Sequence, residues 1–268
     1  MSDRPLTLLA VHAHPDDEVT STGGVLAKYA AQGVTTIVVT CTDGRCGDGP
    51  NGVKPGDPGH DPEAVVATRR RELEASCAAL KVSHLETLGY HDSGMMGWDT
   101  NDAPGSFWAT PVDVAAQRLA ALIEKYQPDV VLTYDENGGY GHPDHIQVHR
   151  VTMAAVELAK PAKVYMSAMP RSMMVKVGER MREMGIGLDG PAAEDAPPMG
   201  WEDEDITTRI DVSDVIDQKF DALSAHASQG DGAFFLSLGR ETFSLVMGVE
   251  SFVKVGDSAD GNETDLFN

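Results

Sequence analysis

The chain has 268 residues, of which 41% are hydrophobic and 24% charged, and these proportions exclude a wholly disordered protein. The 42 acidic side chains outnumber the 21 basic ones, giving a net charge of −21, so a nucleic-acid or membrane-surface partner is not expected. No apolar run reaches the roughly 18–20 residues of a membrane span, and the first residues do not resemble a signal peptide. The three cysteines (Cys41, Cys46 and Cys77) form no pairing pattern, which is typical of the reducing cytoplasm.

Short apolar runs alternate with segments of helical spacing along the first two thirds of the chain. The predicted strands are Thr7–His14, Thr35–Thr42, Leu85–Tyr90, Asp129–Asp135 and Lys163–Met169. The predicted helices between them are Thr22–Gln32, Glu63–Leu80 and Val112–Tyr126. This alternation predicts an α/β fold with a doubly wound, mostly parallel, Rossmann-like sheet and helices on both faces.

The last third of the chain has a different pattern. Ala192–Asp205 is rich in Pro, Gly and acidic residues and predicts an exposed loop, whereas Asp211–Gln229 predicts a helix capped by Asp211 or Ser213. We expect residues 1–190 to form the α/β domain and residues 191–255 to form a C-terminal lobe that completes it. Residues 256–268 are expected to be an acidic, flexible tail.

Histidines and carboxylates follow two of the predicted strands at the point where each strand ends. HAHPDDE (His12–Glu18) comes after the first strand and YGHPDH (Tyr140–His145) after the fourth. In an open α/β sheet the ligand crevice lies outside the carboxyl ends of the strands. Two imidazoles and one carboxylate, with one position left open for water, form the ligand set of a catalytic zinc site.

The spacing within the first motif suggests two roles. His14 and Asp17 are three residues apart and converge on one ion if the chain turns at Pro15. Asp16 then points elsewhere and is free to take a proton from the attacking water, as the base of metal-assisted hydrolysis does.

In the second motif His145 would be the third ligand, which leaves Asp144 and His142 for other roles. An imidazole that stays protonated beside the metal could stabilise an oxyanion and give a proton to the departing amine. His149 lies four residues after His145, the spacing of a zinc pair, and is the alternative third ligand, although a supporting or surface role is favoured.

Other candidates have plainer interpretations. His12 alternates with His14 along the strand and is expected to be a core histidine, and His226 a packed or capping one. The methionines between Val164 and Met184 are expected to pack in the core, with an adaptable apolar wall for a variable substituent as the alternative.

The two strand-end motifs resemble the signatures of the LmbE/PIG-L-like zinc-dependent N-deacetylases. TYDENGGYGHPDH (Thr133–His145) and HDSGMMG (His91–Gly97) are most similar to the mycothiol enzymes of this family, the N-acetylglucosaminyl-inositol deacetylase and the mycothiol S-conjugate amidase. Thr20, which follows the first motif, stands where the conjugate amidase has a lysine. The resemblance implies Zn²⁺, with Fe²⁺ as the alternative, on three ligands, and it assigns six further residues. The ligands are His14, Asp17 and His145; Asp16 is the general base; His142, oriented by Asp144, and Tyr140 face the oxyanion; Arg69 and Asp92 hold hydroxyls of the sugar or inositol.

We therefore expect a cytoplasmic enzyme that removes the acetyl group from an N-acetylglucosaminyl-inositol type of substrate, a small amino-sugar molecule. A mycothiol S-conjugate amidase and an amide hydrolase of a specialised-metabolite pathway are alternatives within the family. A dinucleotide-binding protein would need GxGxxG after the first strand, where HAHPDDE stands, and a non-catalytic metal-binding module would need a closed ligand shell. The sequence does not determine the oligomeric state, so a homo-oligomer is left open.

Overall fold

A seven-stranded mixed sheet forms the centre of the protein in a computed structural model, which describes residues 4–183, 200–237, 239–256 and 263–268. The strand order is β3-β2-β1-β4-β5-β7-β6, in which β1 to β5 are parallel and β7 runs antiparallel to β5 and β6. The strands are β1 (Thr7–His12), β2 (Thr35–Thr42), β3 (His84–Tyr90), β4 (Val130–Thr133), β5 (Lys163–Ser167), β6 (Thr208–Asp211) and β7 (Val249–Lys254).

Helices cover both faces of this sheet, as the sequence predicts. They are α1 (Asp17–Ala31), α2 (Pro62–Ala79), α3 (Val112–Tyr126), the single turn α4 (Gly138–Gly141), α5 (Pro143–Ala159), α6 (Arg171–Glu183), α7 (Ile216–Ala225), α8 (Gly230–Ser237) and α9 (Gly239–Met247). None of the described helices is both long and apolar enough to cross a bilayer.

Two apolar clusters hold the helices to the sheet, and β1 contributes to both because its side chains alternate between the two faces. Leu8 and Ala10 join the cluster under α1, α2, α7 and α9, whereas Leu9 and Val11 join the cluster under α3 and α5. All four side chains are fully buried. Burial on both faces explains why β1 and β2 are rich in apolar residues. Because the two strands are parallel, their carboxyl ends lie at the same edge of the sheet.

Helix α1 approaches the sheet edge closely enough to require a glycine. A Cβ at Gly24 would lie 2.4 Å from a methyl carbon of Val212, just after β6. The carboxylate of Glu250 on β7 accepts the backbone N–H groups of Gly24 and Val25 at 2.7 and 2.8 Å and pairs with the buried Lys219 at 2.7 Å. These contacts fix the C-terminal strands against the helix that begins in the first motif.

The structure corrects the prediction of a helix over Asp211–Gln229. Asp211 ends strand β6, which pairs with β7 from Thr208 onward, and its side chain accepts the backbone N–H of Ser213. Helix α7 begins only at Ile216 and ends at Ala225. The β-branched residues before Asp211 satisfy their backbone groups in the sheet, and so the helix starts later.

The last six residues, 263–268, pack against the rest of the domain, although the sequence predicts a flexible tail from residue 256 onward. Leu266 is fully buried, its backbone N–H donates to the Tyr29 hydroxyl at 2.9 Å, and the ring of Phe267 packs edge-on against Tyr29. Glu263 accepts hydrogen bonds from Tyr165 and Lys254, each at 3.0 Å. Of the loop predicted over 192–205, residues 200–205 are described; the rest of that loop, residues 257–262 and Met184 lie outside the described residues.

Candidate active site

Three side chains predicted to bind a metal meet at the carboxyl edge of the sheet. His14 follows β1, Asp17 begins α1, and His145 lies in the first turn of α5. His14 Nδ1 is 3.2 Å from Asp17 Oδ2, His145 Nε2 is 3.4 Å from the same oxygen, and the two nitrogens are 3.3 Å apart. Donor atoms about 2.0–2.2 Å from a tetrahedral zinc ion stand at such separations, so the residues fit a divalent ion.

The opposite nitrogen of each imidazole is held by an acceptor, and this defines the tautomers that suit a metal. His14 Nε2 lies 3.2 Å from Asp144 Oδ2, and His145 Nδ1 lies 3.2 Å from the carbonyl oxygen of Gly138. A proton on each of these nitrogens leaves the lone pairs of His14 Nδ1 and His145 Nε2 facing Asp17. A Cβ at Gly138 would lie 2.5 Å from Cβ of His145, so the close approach of this carbonyl requires a glycine.

Carboxylates surround this cluster and create a negative potential. Burial opposes a charge on His14, but Asp92, Asp144 and Asp17 outweigh it and raise the pKa of His14 well above its ordinary value. The same carboxylates favour a bound cation. In the described part of the chain, His14 also forms sets of suitable spacing with His142 and His145, and with Asp92 and Asp144, so the whole pocket suits a metal ion.

Asp16 stands beside the ligand atoms without joining them. Its backbone has φ of 99° and ψ of −29°, a left-handed conformation that non-glycine residues rarely adopt. Oδ2 of its carboxylate accepts from Arg69 Nη2 at 3.0 Å. Burial raises the pKa of Asp16 to about 6 although the Arg69 guanidinium opposes the shift. A carboxylate of this kind suits proton transfer near neutral pH.

The surroundings of His142 favour its neutral form, whereas the sequence suggested that this imidazole could stay protonated beside the metal. Burial, with His14 and His145, lowers the pKa of His142 to about 3. Its Nδ1 accepts the backbone N–H of Asp144 at 3.1 Å, so the single proton of the ring is on Nε2. This backbone contact orients His142, whereas the carboxylate of Asp144 binds Ser93 and approaches His14.

Tyr140, predicted to lie at the oxyanion, is at the rim of the site. Its side chain is 57% exposed, and its ring centroid is 5.0 Å from that of His145 and 6.2 Å from that of His142. The phenol is therefore accessible to a bound molecule.

Arg69 and Asp92, predicted to hold substrate hydroxyls, are directed into the protein. Arg69 is 4% exposed and donates to the carbonyl oxygens of Gly44 and Pro15 as well as to Asp16. Asp92 is equally buried, accepts the backbone N–H groups of Cys46 and Gly94, and lies 3.5 Å from His14 Nε2. Both residues are thus internal supports of the metal-binding cluster in this structure, and their contact with hydroxyls stays a prediction.

The sequence reasoning missed two supporting residues, although both stand in quoted segments. Tyr134, in TYDENGGYGHPDH, stacks on His145 with ring centroids 4.4 Å apart, and its hydroxyl accepts the N–H of Ala13. Ser93, in HDSGMMG, donates to Asp144 from both its backbone N–H and its hydroxyl. The available signal in each case was a hydroxyl within three residues of a strand end.

The two histidines considered as alternatives have structural contacts. Nδ1 of His149 lies 2.9 Å from the carbonyl oxygen of Tyr134, and His149 is in neither of the metal-suited sets among the described residues. His12 is 2% exposed, with Nε2 2.9 Å from the Thr22 hydroxyl, which confirms the predicted core histidine.

A cavity of about 440 Å³ opens from the metal-binding cluster toward the C-terminal strands. Asp17 and His145 line one end, and Thr20 lines the wall formed by α1. The far wall contains the methionines Met169, Met173, Met174 and Met247. Met169, Met173 and Met174 belong to the methionine-rich segment of the sequence, and their position agrees with the alternative of an apolar wall; Met247 lies outside that segment and was not part of the prediction.

Comparison with known proteins identifies the family. Residues 9–156, more than half of the chain, match the family model described as PIG-L: GlcNAc-PI de-N-acetylase. This chain belongs to the PIG-L family. The matched residues include every candidate metal ligand, so the family predicted from the two motifs is confirmed.

Full-length relatives of known name support the same membership. A protein of Thermobifida fusca is 44% identical over 100% of both chains, and one of Acidothermus cellulolyticus is 43% identical over 97% of this chain and 94% of its own. Each is named 1D-myo-inositol 2-acetamido-2-deoxy-alpha-D-glucopyranoside deacetylase. The solved structure of N,N'-diacetylchitobiose deacetylase from Pyrococcus horikoshii has the same fold, with a TM-score of 0.61 at 22% identity over 93% of this chain and 83% of its own.

Proposed function

We propose that this PIG-L family member is a metal-dependent amide hydrolase that removes the acetyl group from N-acetylglucosamine linked to inositol. The observation that carries the proposal is the triad of donor atoms of His14, Asp17 and His145, 3.2–3.4 Å apart, with the carboxylate of Asp16 beside it and bound to Arg69. The names of the two full-length relatives support this reaction and this substrate, and the hydrolase class agrees with the sequence prediction.

We propose zinc as the metal, with Fe²⁺ as the alternative, because two imidazoles and one carboxylate suit both ions. The bound ion would act as a Lewis acid toward the amide carbonyl and the attacking water. The surrounding carboxylates of Asp92 and Asp144 would orient His14 and compensate the positive charge.

The chain's own residues would manage the protons. Asp16 would take a proton from the attacking water, because its carboxylate is fixed by Arg69 and its pKa is raised to about 6. His142, with its proton on Nε2, would donate a hydrogen bond to the developing oxyanion, and the Tyr140 hydroxyl would do so from the rim. Since a neutral His142 has no spare proton, Asp16 would also pass its proton to the amine as the C–N bond breaks.

Cleavage of a mycothiol S-conjugate is the second candidate, and the cavity favours it. Such a substrate carries its amide on the same amino sugar and adds a variable group. The methionine wall (Met169, Met173, Met174 and Met247) would accommodate an apolar group of varying shape.

We further propose that the protein acts in the cytoplasm on a small amino-sugar molecule. Cys41, Cys46 and Cys77 are unpaired thiols, which agrees with a reducing compartment.

The test combines metal analysis with kinetics on defined substrates. Protein loaded with Zn²⁺ or Fe²⁺ is assayed for amine release from N-acetylglucosaminyl-inositol, from free N-acetylglucosamine and from a mycothiol S-conjugate. We expect a higher kcat/KM for the inositol-linked acetyl sugar, with acetate and amine formed in equal amounts. A metal-loaded protein that releases no amine from any of the three would refute the proposal. A higher kcat/KM on the conjugate would select the second candidate, and a metal-free protein that binds NAD would indicate a dinucleotide-binding protein.

A further inference from the structure

A buried carboxylate connects the proposed base to the far end of the chain. Glu18, in the first turn of α1, is fully buried. Its Oε2 accepts the backbone N–H of Asp16 at 2.9 Å. Its Oε1 accepts the Ser76 hydroxyl at 2.5 Å and lies 2.7 Å from Nε2 of His226, 208 residues later in the sequence.

The hydrogen bond from Asp16 to Glu18 acts on a strained segment. At φ of 99°, the Asp16 backbone has a conformation that a side chain disfavours, so surrounding contacts must maintain it. Arg69 supplies contacts from one direction, through the carbonyl oxygen of Pro15 and the carboxylate of Asp16. Glu18 supplies a further contact, because its Oε2 accepts the backbone N–H of Asp16.

His226 is the hydrogen-bonding partner of Glu18 Oε1 through its Nε2. Burial opposes a proton on His226, but Glu18 outweighs it and raises the pKa of this imidazole. The side chains of both partners are 0% exposed, so neither can be satisfied by bulk water. Without His226, Oε1 of the buried Glu18 carboxylate would lose a hydrogen-bond donor, a costly arrangement that displacement of the carboxylate toward other donors would relieve.

We propose that His226 is a positioning residue that acts through Glu18 to hold the backbone of Asp16 in its left-handed conformation. The proposal rests on the proposed role of Asp16 as the base. His226 follows α7 and lies beyond residues 9–156, which match the family model, so the C-terminal part of the chain would contribute to the geometry of proton transfer.

The experiment replaces His226 in the full-length, metal-loaded protein and follows Asp16 directly. In His226→Leu, hydrogen exchange of the Asp16 amide should accelerate at least about tenfold because its acceptor is displaced. The kcat should fall about ten- to hundredfold, the scale expected when a catalytic group is misplaced, while KM and metal content stay unchanged. His226→Gln, whose amide can donate to Glu18, should recover most of the kcat and most of the amide protection.

Tyr29→Phe is the matched control, since Tyr29 lies in α1, the helix that contains Glu18, and is 2% exposed. Its hydroxyl donates to Asp265 and accepts the backbone N–H of Leu266, both near the C-terminus of the chain. This variant should lower Tm and leave both kcat and the exchange of the Asp16 amide unchanged.

The proposal is overturned if His226→Leu lowers Tm as the control does but changes neither amide exchange nor kcat. If His226→Leu does not fold, His226→Asn, whose side chain is too short to reach Glu18, is measured in the same way and decides by the same criteria. The amide exchange does not depend on turnover, so a wild-type protein without deacetylase activity would refute the proposed function while the positioning contact is still decided.

Discussion

Replacement of Arg69 by methionine distinguishes an internal support from a substrate-binding residue. The methionine keeps most of the aliphatic packing and removes the guanidinium, which is 3.0 Å from Asp16 Oδ2 and also binds the carbonyl oxygens of Gly44 and Pro15. As a support of the base, Arg69 contributes to folding and to kcat. As a hydroxyl-binding residue it would contribute mainly to KM.

The expected magnitude follows from the burial of the two partners. Loss of one member of a buried ion pair costs about 3–5 kcal/mol. The Arg69 side chain is 5% exposed but that of Asp16 is 26% exposed, and water can therefore solvate part of the freed carboxylate. We expect a loss near the lower limit, about 3 kcal/mol, which corresponds to a fall in Tm of about 6–12 °C for a chain of this size. The kcat should fall about 10²-fold because Asp16 loses its orientation.

The assay measures Tm, kcat and KM for Arg69→Met and for Arg70→Met, with metal content checked in both. Arg70 is a suitable control because it is in the same helix, its side chain is 78% exposed, and it pairs only weakly with Glu74 four residues later. Its replacement should change the free energy of unfolding by less than about 0.5 kcal/mol. An Arg69→Met protein with normal Tm and kcat and a KM raised tenfold or more would refute the argument and restore the sequence-based role in recognition.

Three further predictions concern the base, pH and packing. Asp16→Asn should retain the metal and lower kcat about 10²–10⁴-fold, whereas His145→Ala should lose the metal. Metal analysis and kinetics on the same samples check both variants. Near-normal turnover of Asp16→Asn would contradict its role as the base. Burial opposes a charged His226, yet its carboxylate partner raises the pKa, so its contribution to stability is complete below the unfolded value of about 6.5 and is lost as pH rises through the folded value. The Tm difference between wild type and His226→Leu should therefore shrink above about pH 6.5, and a difference independent of pH would be inconsistent with a charged pair. Gly24→Ala should lower stability by about 1–3 kcal/mol through the clash with Val212, measured by urea unfolding, and an unchanged midpoint would show that β6 can yield.

The sequence predicts the parallel half of the fold well because local composition determines it. Thr35–Thr42 is buried almost throughout, and its β-branched residues suit only a strand covered on both faces. Strands β6 and β7 were not predicted, because Thr208–Asp211 and Val249–Lys254 are short and mix polar with apolar residues without a regular alternation. Their pairing with each other and with β5 depends on residues distant in sequence.

The residues of the candidate site also divide into those that the sequence predicts and those that it does not. His14, Asp17 and His145 could be predicted because they lie between a strand and the start of the helix that follows it, at the edge where the topology brings the carboxyl ends of β1 and β4 together. The contacts of Arg69 could not be predicted, because a long side chain on a helix can bind several parts of the neighbouring turn. The left-handed conformation of Asp16 in that turn does not follow from the spacing of residues. The pair of Glu18 and His226 is separated by 208 residues, a distance over which sequence periodicity carries no information.

The cavity is assembled from two stretches of chain with separate tasks. The proposed hydrolytic residues all lie within 9–156, whereas the methionine wall comes from the segment after β5, the start of α6 and the end of α9. The wall lines the same cavity as Asp17 and His145 without supplying any of the candidate metal ligands. Substitutions in the wall would therefore change which acyl group or conjugate binds, while the residues proposed to hydrolyse the amide stay the same. Substrate preference and amide hydrolysis could thus evolve separately in this fold.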